Sequence, residues 1–364
     1  MSKSTESLTV RSITAAEHRA YVATRPDVPL EQTPGWAKGY VTVRNESIGW
    51  FAGDRLLAAG LCRYRGLPRL PMRSVAVFDS GPDIDWDGIR RPQYSLSDWL
   101  DPLVDFLRGR GVFSVRVNPA VRQRTWSGID PSFRASTSAL VPHVGTTPTP
   151  RASRTTERLR RAKWRPFQGA GHRVRAEVPL HQVRPQDRPQ AARSDSTDLI
   201  PGGSIRLGTL DDLPEVQAAI RRAHPGLHLS SARDMETRWR GLASDDIAGV
   251  QLVVAERQGK IIYGGLVAGV GQHAWDLSDT LPLPDAELPE VAMVRRHMML
   301  MTAGRMGADW LVIPTVIPQV RNAFPSPAPG WPPARLSELV GTWQFPVRAT
   351  WHAALSPVVD RLLL

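Results

Sequence analysis

The sequence predicts an α/β chain of α+β design: two tandem domains built on one plan. Three observations predict it. The chain of 364 residues is longer than one hydrophobic core usually fills. The same order of strands and helices can be read twice along it, an internal repeat of a whole domain. Between the two copies lies a strongly basic stretch, Thr155 to Val178, reading TTERLRRAKWRPFQGAGHRVRAEV.

The first copy occupies residues 1–149. Ser7 to Ile13 has strand character and Thr14 to Thr24 reads as a short helix, followed by QTPGWAKGY at Gln32 to Tyr40. Ile48 to Tyr64 alternates like a hairpin, with Gly53-Asp54 as its turn. Ser74 to Asp79 is a strand broken by Ser80-Gly81-Pro82. Ser97 can cap an amphipathic helix to Arg108 with Leu100, Leu103, Val104 and Leu107 on one face, and Gly111 ends it. Phe113 to Val117 is the last strand.

The second copy repeats the order. Ser204 to Leu207 is a strand. Thr209 caps a helix through Ala223 that buries Leu213, Val216, Ala219 and Ile220, and Asp234 to Leu242 is a second helix. Gly249 to Glu256 and Lys260 to Val267 form a hairpin across Arg257-Gln258-Gly259, and Gln272 to Leu277 is a strand. Val291 to Met306 is a helix with Val291, Val294, Met298 and Met301 on one face, the methionines reading as core filler. Trp310 to Val316 closes the copy. Val183 to Ser204, poor in apolar residues, reads as a mobile insertion, and proline-rich Pro318 to Arg335 as a loop over the second domain's ligand face. The domains expected are 1–149 plus 344–364, and 150–343 including a basic helix at 155–166.

Composition narrows the function. A net charge of +11 favours an anionic partner: nucleic acid, a phosphorylated substrate or an anionic membrane surface. The single cysteine, Cys62, sits in an apolar run, which excludes an internal disulfide framework. The start MSKSTESLTV has no apolar signal core and no run of 18 apolar residues exists, so the expected location is cytoplasmic. His224 and His228 are four apart, but Pro225-Gly226 breaks a helix between them and no third ligand is evident; no metal site is expected. No G-x-x-x-x-G-K-[ST] loop and no G-x-S-x-G elbow is present.

The basic stretch carries nine Arg and Lys between Arg151 and Arg175, against the single acid Glu157. Thr155 or Thr156 can cap a helix in which Leu159 and Ala162 form a narrow buried stripe. Arg158, Arg160, Arg161, Lys163 and Arg165 then occupy the other side, and Pro166 ends the helix. Such a face is either simply solvated or a footprint for a polyphosphate backbone. The near absence of balancing acid and the position at the junction weigh for the footprint.

A hairpin, strand, helix and strand preceded by two helices resembles the GNAT acyltransferase fold, and SIRLGTLDDLPEVQAAI looks like the opening of such a domain. GNAT enzymes that use acetyl-CoA carry R/Q-x-x-G-x-G/A between the fourth strand and the next helix, a loop that binds pyrophosphate through backbone N–H groups. The two halves offer SGPDIDWDGI and DAELPEVAM there, so no acetyl-CoA cofactor is expected. Two such domains around a basic helix resemble the Fem family of peptidoglycan-bridge aminoacyltransferases, which move an amino acid from aminoacyl-tRNA to an amine. Gln32 and Trp36 match that family's Gln-x-x-x-Trp. Ser80-Gly81-Pro82 with Asp85 resembles its Gly-Pro-x-x-Asp, Arg116-Val117-Asn118-Pro119 its Arg-x-acid-Pro, and Lys163-Trp164-Arg165-Pro166-Phe167 its basic helix and exit strand.

The resemblance implies acceptor contacts at Trp36, Lys38, Tyr40, Ser80, Arg116 and Arg233, tRNA contacts along the basic helix, and Asn118 at the catalytic position. Departures qualify each. Tyr40 stands where the family has a phosphate-binding lysine, and Arg233 is the nearest candidate for its phosphate-binding arginine. Ser337-Glu338-Leu339-Val340-Gly341 lacks the family's tRNA-end lysine, and the aromatic strand becomes Trp275-Asp276-Leu277. Asn118, in place of an acid, cannot accept a proton as a base. It can orient an amine or donate to an oxyanion; equally, a strand-end Asn can hold a turn. Trp36 is either a core aromatic or a substrate platform. Aminolysis of an activated ester needs positioning and a stabilised oxyanion more than a base, so the expected activity is aminoacyl transfer from tRNA. The acceptor favoured is a peptide, nucleoside or amino-sugar natural product. A wall precursor is the alternative, with peripheral membrane contact if it is lipid-linked, and so is a non-catalytic RNA- or nucleotide-binding module.

Overall fold

The computed structural model describes residues 6–39, 43–67, 70–126, 150–167, 173–180, 202–223, 232–277, 298–316 and 335–347. In chain order these form β1 (Leu8–Ser12), α1 (Ala15–Ala23), α2 (Pro34–Lys38), β2 (Arg44–Ala52), β3 (Arg55–Leu67), β4 (Leu70–Phe78), α3 (Leu96–Arg108), β5 (Val112–Val117) and β6 (Arg122–Trp126). Then come α4 (Pro150–Arg161), β7 (Arg165–Pro166), β8 (Arg173–Pro179), β9 (Gly203–Gly208), α5 (Leu213–Ala223), α6 (Ala232–Ala243), β10 (Ala248–Arg257), β11 (Lys260–Val270) and β12 (His273–Asp276). A helical stretch 298–305 (α7), β13 (Trp310–Val316), β14 (Arg335–Leu339) and β15 (Trp343–Pro346) complete the described chain. It divides into two compact units: Met1–Arg124 with Thr147–Arg173 and Glu338–Leu364, and Thr125–Thr146 with Val174–Ser337.

Each unit repeats one sheet plan. In the first, β1, β2, β3 and β4 are antiparallel neighbours, β4 and β5 are parallel, and β15 and β7 extend the sheet. The second sheet has the order β6-β14-β8-β13-β12-β11-β10-β9, with antiparallel β9 to β12 and the parallel pair β12–β13. Even the hairpin bulges correspond: one falls at Trp50/Phe51 before the Gly53 turn, the other at Ala255/Glu256 before the Gln258-Gly259 turn. A bulge at that place tightens the twist of both hairpins.

Cores follow from the alternation. One face of the first sheet buries Trp50, Cys62, Tyr64, Phe78, Val115 and Val117 against Leu100, Leu103, Val104 and Leu107 of α3. The Trp50 indole N–H donates to the Trp99 carbonyl at 2.7 Å and pins β2 to that helix. In the second unit α5 and α6 bury Leu213, Val216, Ala219 and Met235 against β10 and β11, while α7 sets Met298, Met299 and Ala303 on the opposite face.

Several boundaries depart from the sequence reading. α3 is capped by Ser95 rather than Ser97, with Asp98 closing the capping box. The basic helix starts at Pro150, so Thr155 is a buried residue of its inner face and not its cap. It ends before Pro166: the Lys163 N–H donates to the Arg160 carbonyl and the Trp164 N–H to the Leu159 carbonyl, both at 3.0 Å, with Lys163 at φ 63°. This is a Schellman closure with lysine at the left-handed position. α4 also falls in the first unit, where a domain boundary at residue 150 put it in the second; Ala152, Leu159, Ala162 and Trp164 are buried in the α3 core. β15 joins the first sheet as the expected return of the chain, whereas β6 and β14 had no signal in the sequence reading. Residues 183–201 of the insertion, Tyr40, His224, His228, Val291, Val294, 318–334 and 348–364 lie outside the described residues.

Candidate functional site

In the first unit, backbone register lines up one row of side chains across six strands. Asn45 on β2 is opposite Arg63 on β3, Arg63 opposite Val77 on β4, and Val77 beside Arg116 on β5. Arg116 faces Gln344 on β15, which faces Arg165 on β7. Residues opposite one another share a sheet face, and this face is the one turned away from α3. It therefore carries three arginines and two carboxamides where the other face is apolar. Arg63 pairs with Asp79, the residue that follows β4. The Arg116 guanidinium lies 3.8 Å from the centroid of the Phe167 ring, a cation–π stack that holds a buried charge. Ser114 donates to the Phe345 carbonyl at 3.3 Å and Asn45 to the Ala37 carbonyl at 3.2 Å, tying β15 and α2 to the same face.

The row ends where β4 and β5 stop, at the carboxyl edge of a parallel pair. Open α/β sheets bind ligands at such edges. Asn118 follows β5; its N–H donates to the Phe78 carbonyl at 3.1 Å, which keeps the two strands paired to their ends. Its side chain is buried, and its Oδ1 has no hydrogen-bond partner. Gln344 Oε1 is buried without a partner as well. A buried carbonyl oxygen left alone costs about 1–3 kcal/mol, and a ligand donor at the site would remove that cost.

The loop after β4 is locked by Gln32. Its Oε1 accepts the Leu61 N–H at 2.9 Å and its Nε2 donates to the Asp79 carbonyl at 2.5 Å. A Cβ at Gly81 would collide with the Gln32 carboxamide, and one at Gly60 would come within 2.5 Å of Pro82 Cβ. Ser80, at φ 52°, makes the bend. Trp36, half-buried in α2, and exposed Lys38 follow from the same segment; Thr33 caps α2 by accepting the Trp36 N–H at 3.3 Å. Gln32 and the Ser80-Gly81-Pro82 turn are thus one locked unit beside the end of β4.

Asp85 does something the sequence does not announce. It is buried, and its Oδ1 accepts the N–H groups of Gly88, Ile89 and Arg90 at 3.1, 3.2 and 3.3 Å. Its Oδ2 accepts the Arg91 N–H at 2.7 Å. This is the loop between the fourth strand and the following helix, where an acyl-CoA enzyme offers such donors to pyrophosphate. Here an internal carboxylate fills the nest, and the Ser95–Asp98 box closes the N-terminus of α3 behind it.

The arginines of α4 do not act alike. Arg158 turns inward and donates to the Asp85 carbonyl at 2.8 Å and the Tyr94 carbonyl at 2.9 Å. Burial lowers its guanidinium from its ordinary value. It clamps the Asp85 loop, which corrects its assignment to an outward binding face. Arg151 pairs with Asp87 at 2.5 Å. Burial raises the Asp87 carboxyl, but the Arg151 charge outweighs it and holds the group below the ordinary carboxylate value. Arg161 pairs with Glu157 one turn back. Arg154, Arg160, Lys163 and Arg165 are exposed. Arg233, also exposed, belongs to α6 in the second unit, whereas Trp36, Lys38, Ser80, Arg116 and Asn118 all belong to the first. The sequence reading missed Arg63, Asp79 and Gln344, which strand register places on one face of the sheet. No group of three metal-ligating side chains occurs among the described residues, and none of their helices is long and apolar enough to cross a membrane.

No family model and no curated protein sequence matches the chain. Among solved structures, FemX superposes with a TM-score of 0.65 at 12% identity, over 95% of this chain and 99% of that one. A tandem GNAT protein from the clavulanic acid biosynthesis pathway gives 0.48 at 11% identity, over 93% and 98%. N-myristoyltransferase of Saccharomyces cerevisiae with bound myristoyl-CoA gives 0.43 at 11%, over 93% and 79%. At these identities the likeness concerns the fold, and the first alone is close enough to carry an argument: the chain has the tandem GNAT-like fold of FemX.

Proposed function

We propose that this protein transfers an aminoacyl group from aminoacyl-tRNA to the amine of an acceptor. The acceptor is a peptide, nucleoside or amino-sugar compound in preference to a peptidoglycan precursor. The observation that carries the reading is α4 with its exit turn: Arg154, Arg160, Lys163 and Arg165 are exposed along the helix, its closing turn and β7, and spaced guanidinium groups suit a phosphate backbone. Arg151 and Arg158 anchor that element to the Asp85–Asp87 loop that follows β4. The filled Asp85 nest supports a donor other than acyl-CoA at the first unit. The sequence resemblance to Fem aminoacyltransferases, on the fold of FemX, supports an activated ester as the donor.

In this reading the tRNA-borne ester is attacked by the acceptor nitrogen at the β4–β5 edge. Asn118 orients the amine, and Arg116 supplies positive charge for an anionic part of the acceptor. Trp36, Lys38 and Ser80 flank the acceptor from the α2 side.

Binding tests the donor. We expect charged tRNA to bind with an affinity that falls steeply with salt, and acetyl-CoA not to compete. Saturable acetyl-CoA binding with no tRNA binding would replace this reading by that of an acyl-CoA enzyme.

A further inference from the structure

The Fem-like pattern has an acid where this chain has Asn118, which leaves the reaction without an obvious anion for the incoming ammonium. The structure supplies one on the neighbouring strand. Asp79 follows β4 as Asn118 follows β5, and Phe78 and Val117, the last residues of the two strands, are register partners. Alternation puts Asp79 on the face of Val77, and its pairing with Arg63, the register partner of Val77, agrees. The same alternation puts Asn118 on the face of Arg116, which is again the face of Val77. A carboxylate and a carboxamide therefore end adjacent parallel strands on one side of the sheet. The Asn118 Oδ1 is buried without a hydrogen-bond partner, and Arg63, with 12% of its side chain exposed, holds the Asp79 carboxylate in place.

We infer that Asp79 and Asn118 together form the binding site for the acceptor's amine, and that the acceptor arrives as a primary ammonium. The inference rests on the aminoacyl-transfer reading. Two oxygen acceptors side by side match an N–H donor group with protons to share, and a carboxylate contributes the charge that a carboxamide cannot. One ammonium proton passes to the Asp79 carboxylate, leaving a neutral amine whose lone pair faces the ester. The nitrogen attacks the carbonyl carbon, the C–N bond forms, and the ester C–O bond breaks. The second proton goes to the departing ribose oxygen, which leaves as a hydroxyl. Asp79 then returns its proton to water. The carboxylate absent from position 118 has been relocated by one strand.

The experiment uses the full chain, a labelled charged-tRNA pool, and two acceptor sources: glycinamide as a probe amine, and a cell extract freed of nucleic acid. Wild type, Asp79→Asn, Asp79→Glu, Asn118→Ala and the double variant D79N/N118D are compared for transfer, with tRNA binding and thermal melting measured in parallel. We expect D79N to lower kcat/KM for the acceptor by about 100-fold or more with tRNA binding unchanged, and D79E to recover part of it. The double variant, which returns a carboxylate to the row, should exceed D79N by about 10-fold. N118A should raise the acceptor KM with less effect on kcat, which keeps the inference testable if D79N does not fold. Transfer by D79N and N118A within about twofold of wild type would overturn the inference while leaving aminoacyl transfer intact. Absence of transfer by the wild-type protein from either source would instead overturn the reading on which it rests.

Discussion

Asp85 gathers four backbone N–H groups at one buried carboxylate, and its removal frees the loop that Arg158 also holds. Asp85→Ala should lower the unfolding free energy by about 3 kcal/mol, read by urea denaturation; a change under about 1 kcal/mol would contradict a structural role. His18 offers a pH test. It is buried beside Ser47 Oγ at 2.8 Å, and burial lowers its imidazole to about 4. The unfolded chain, with an ordinary imidazole near 6.5, binds the proton more readily. The stability is thus fully present above about pH 6.5 and is lost as pH falls toward 4. The loss between about pH 7.5 and about pH 5 should reach about 2 kcal/mol and vanish in His18→Asn; an unchanged pH profile in that variant would refute it. Residues with fixed spacing were legible in the sequence: Gln32, Trp36 and Ser80-Gly81-Pro82 stood out as motif matches, and the structure adds that Gln32 locks the Ser80-Gly81-Pro82 turn in place. Arg63, Asp79 and Gln344 were not, because nothing along the chain says that positions 63, 116 and 344 share one sheet row.

At the scale of elements, α4 separates two kinds of arginine that look identical in sequence. Replacing Arg154, Arg160 and Arg165 together by Ala should weaken tRNA binding and reduce the slope of log affinity against log salt by about 2–3, with the melting temperature unchanged. Arg158→Ala should do the reverse: it opens the clamp on Asp85 and Tyr94 and destabilises the protein. If the triple variant kept full affinity and slope, α4 would not be the RNA-binding element. Lys163 sits at the left-handed position of the helix closure, so Lys163→Gly should raise stability by about 0.5–1 kcal/mol, measured by denaturation. A loss of stability would mean that its side chain is structural. The existence and type of α4 followed from the sequence, but its ends did not. Thr155 looked like a cap because a buried threonine and a capping threonine are the same letter, and the true stop is a lysine at positive φ, a position where glycine is the expected signal. β6, β7, β14 and β15 are short pieces whose pairing is set by the sheet they complete and not by their own periodicity.

For the whole molecule, the duplication was visible because each copy carries its own hairpin, parallel pair and covering helices, down to the matching bulge before each turn. Its domain boundary was less visible, since the basic helix belongs by burial to the first unit although it opens the second copy in sequence. The row of arginines and carboxamides, the Gln32 lock and the Asp85 nest lie in the first unit. The central claim is a group transfer, and label movement tests it most directly. A total charged-tRNA pool bearing labelled amino acids would be incubated with the full chain and a cell extract as the acceptor source, and label would be followed from tRNA into an RNase-resistant product. We expect protein-dependent transfer of one amino acid, into a product that mass spectrometry identifies as an amide. Retention of all label on tRNA at the rate of spontaneous ester hydrolysis, with or without the protein, would contradict aminoacyl transfer.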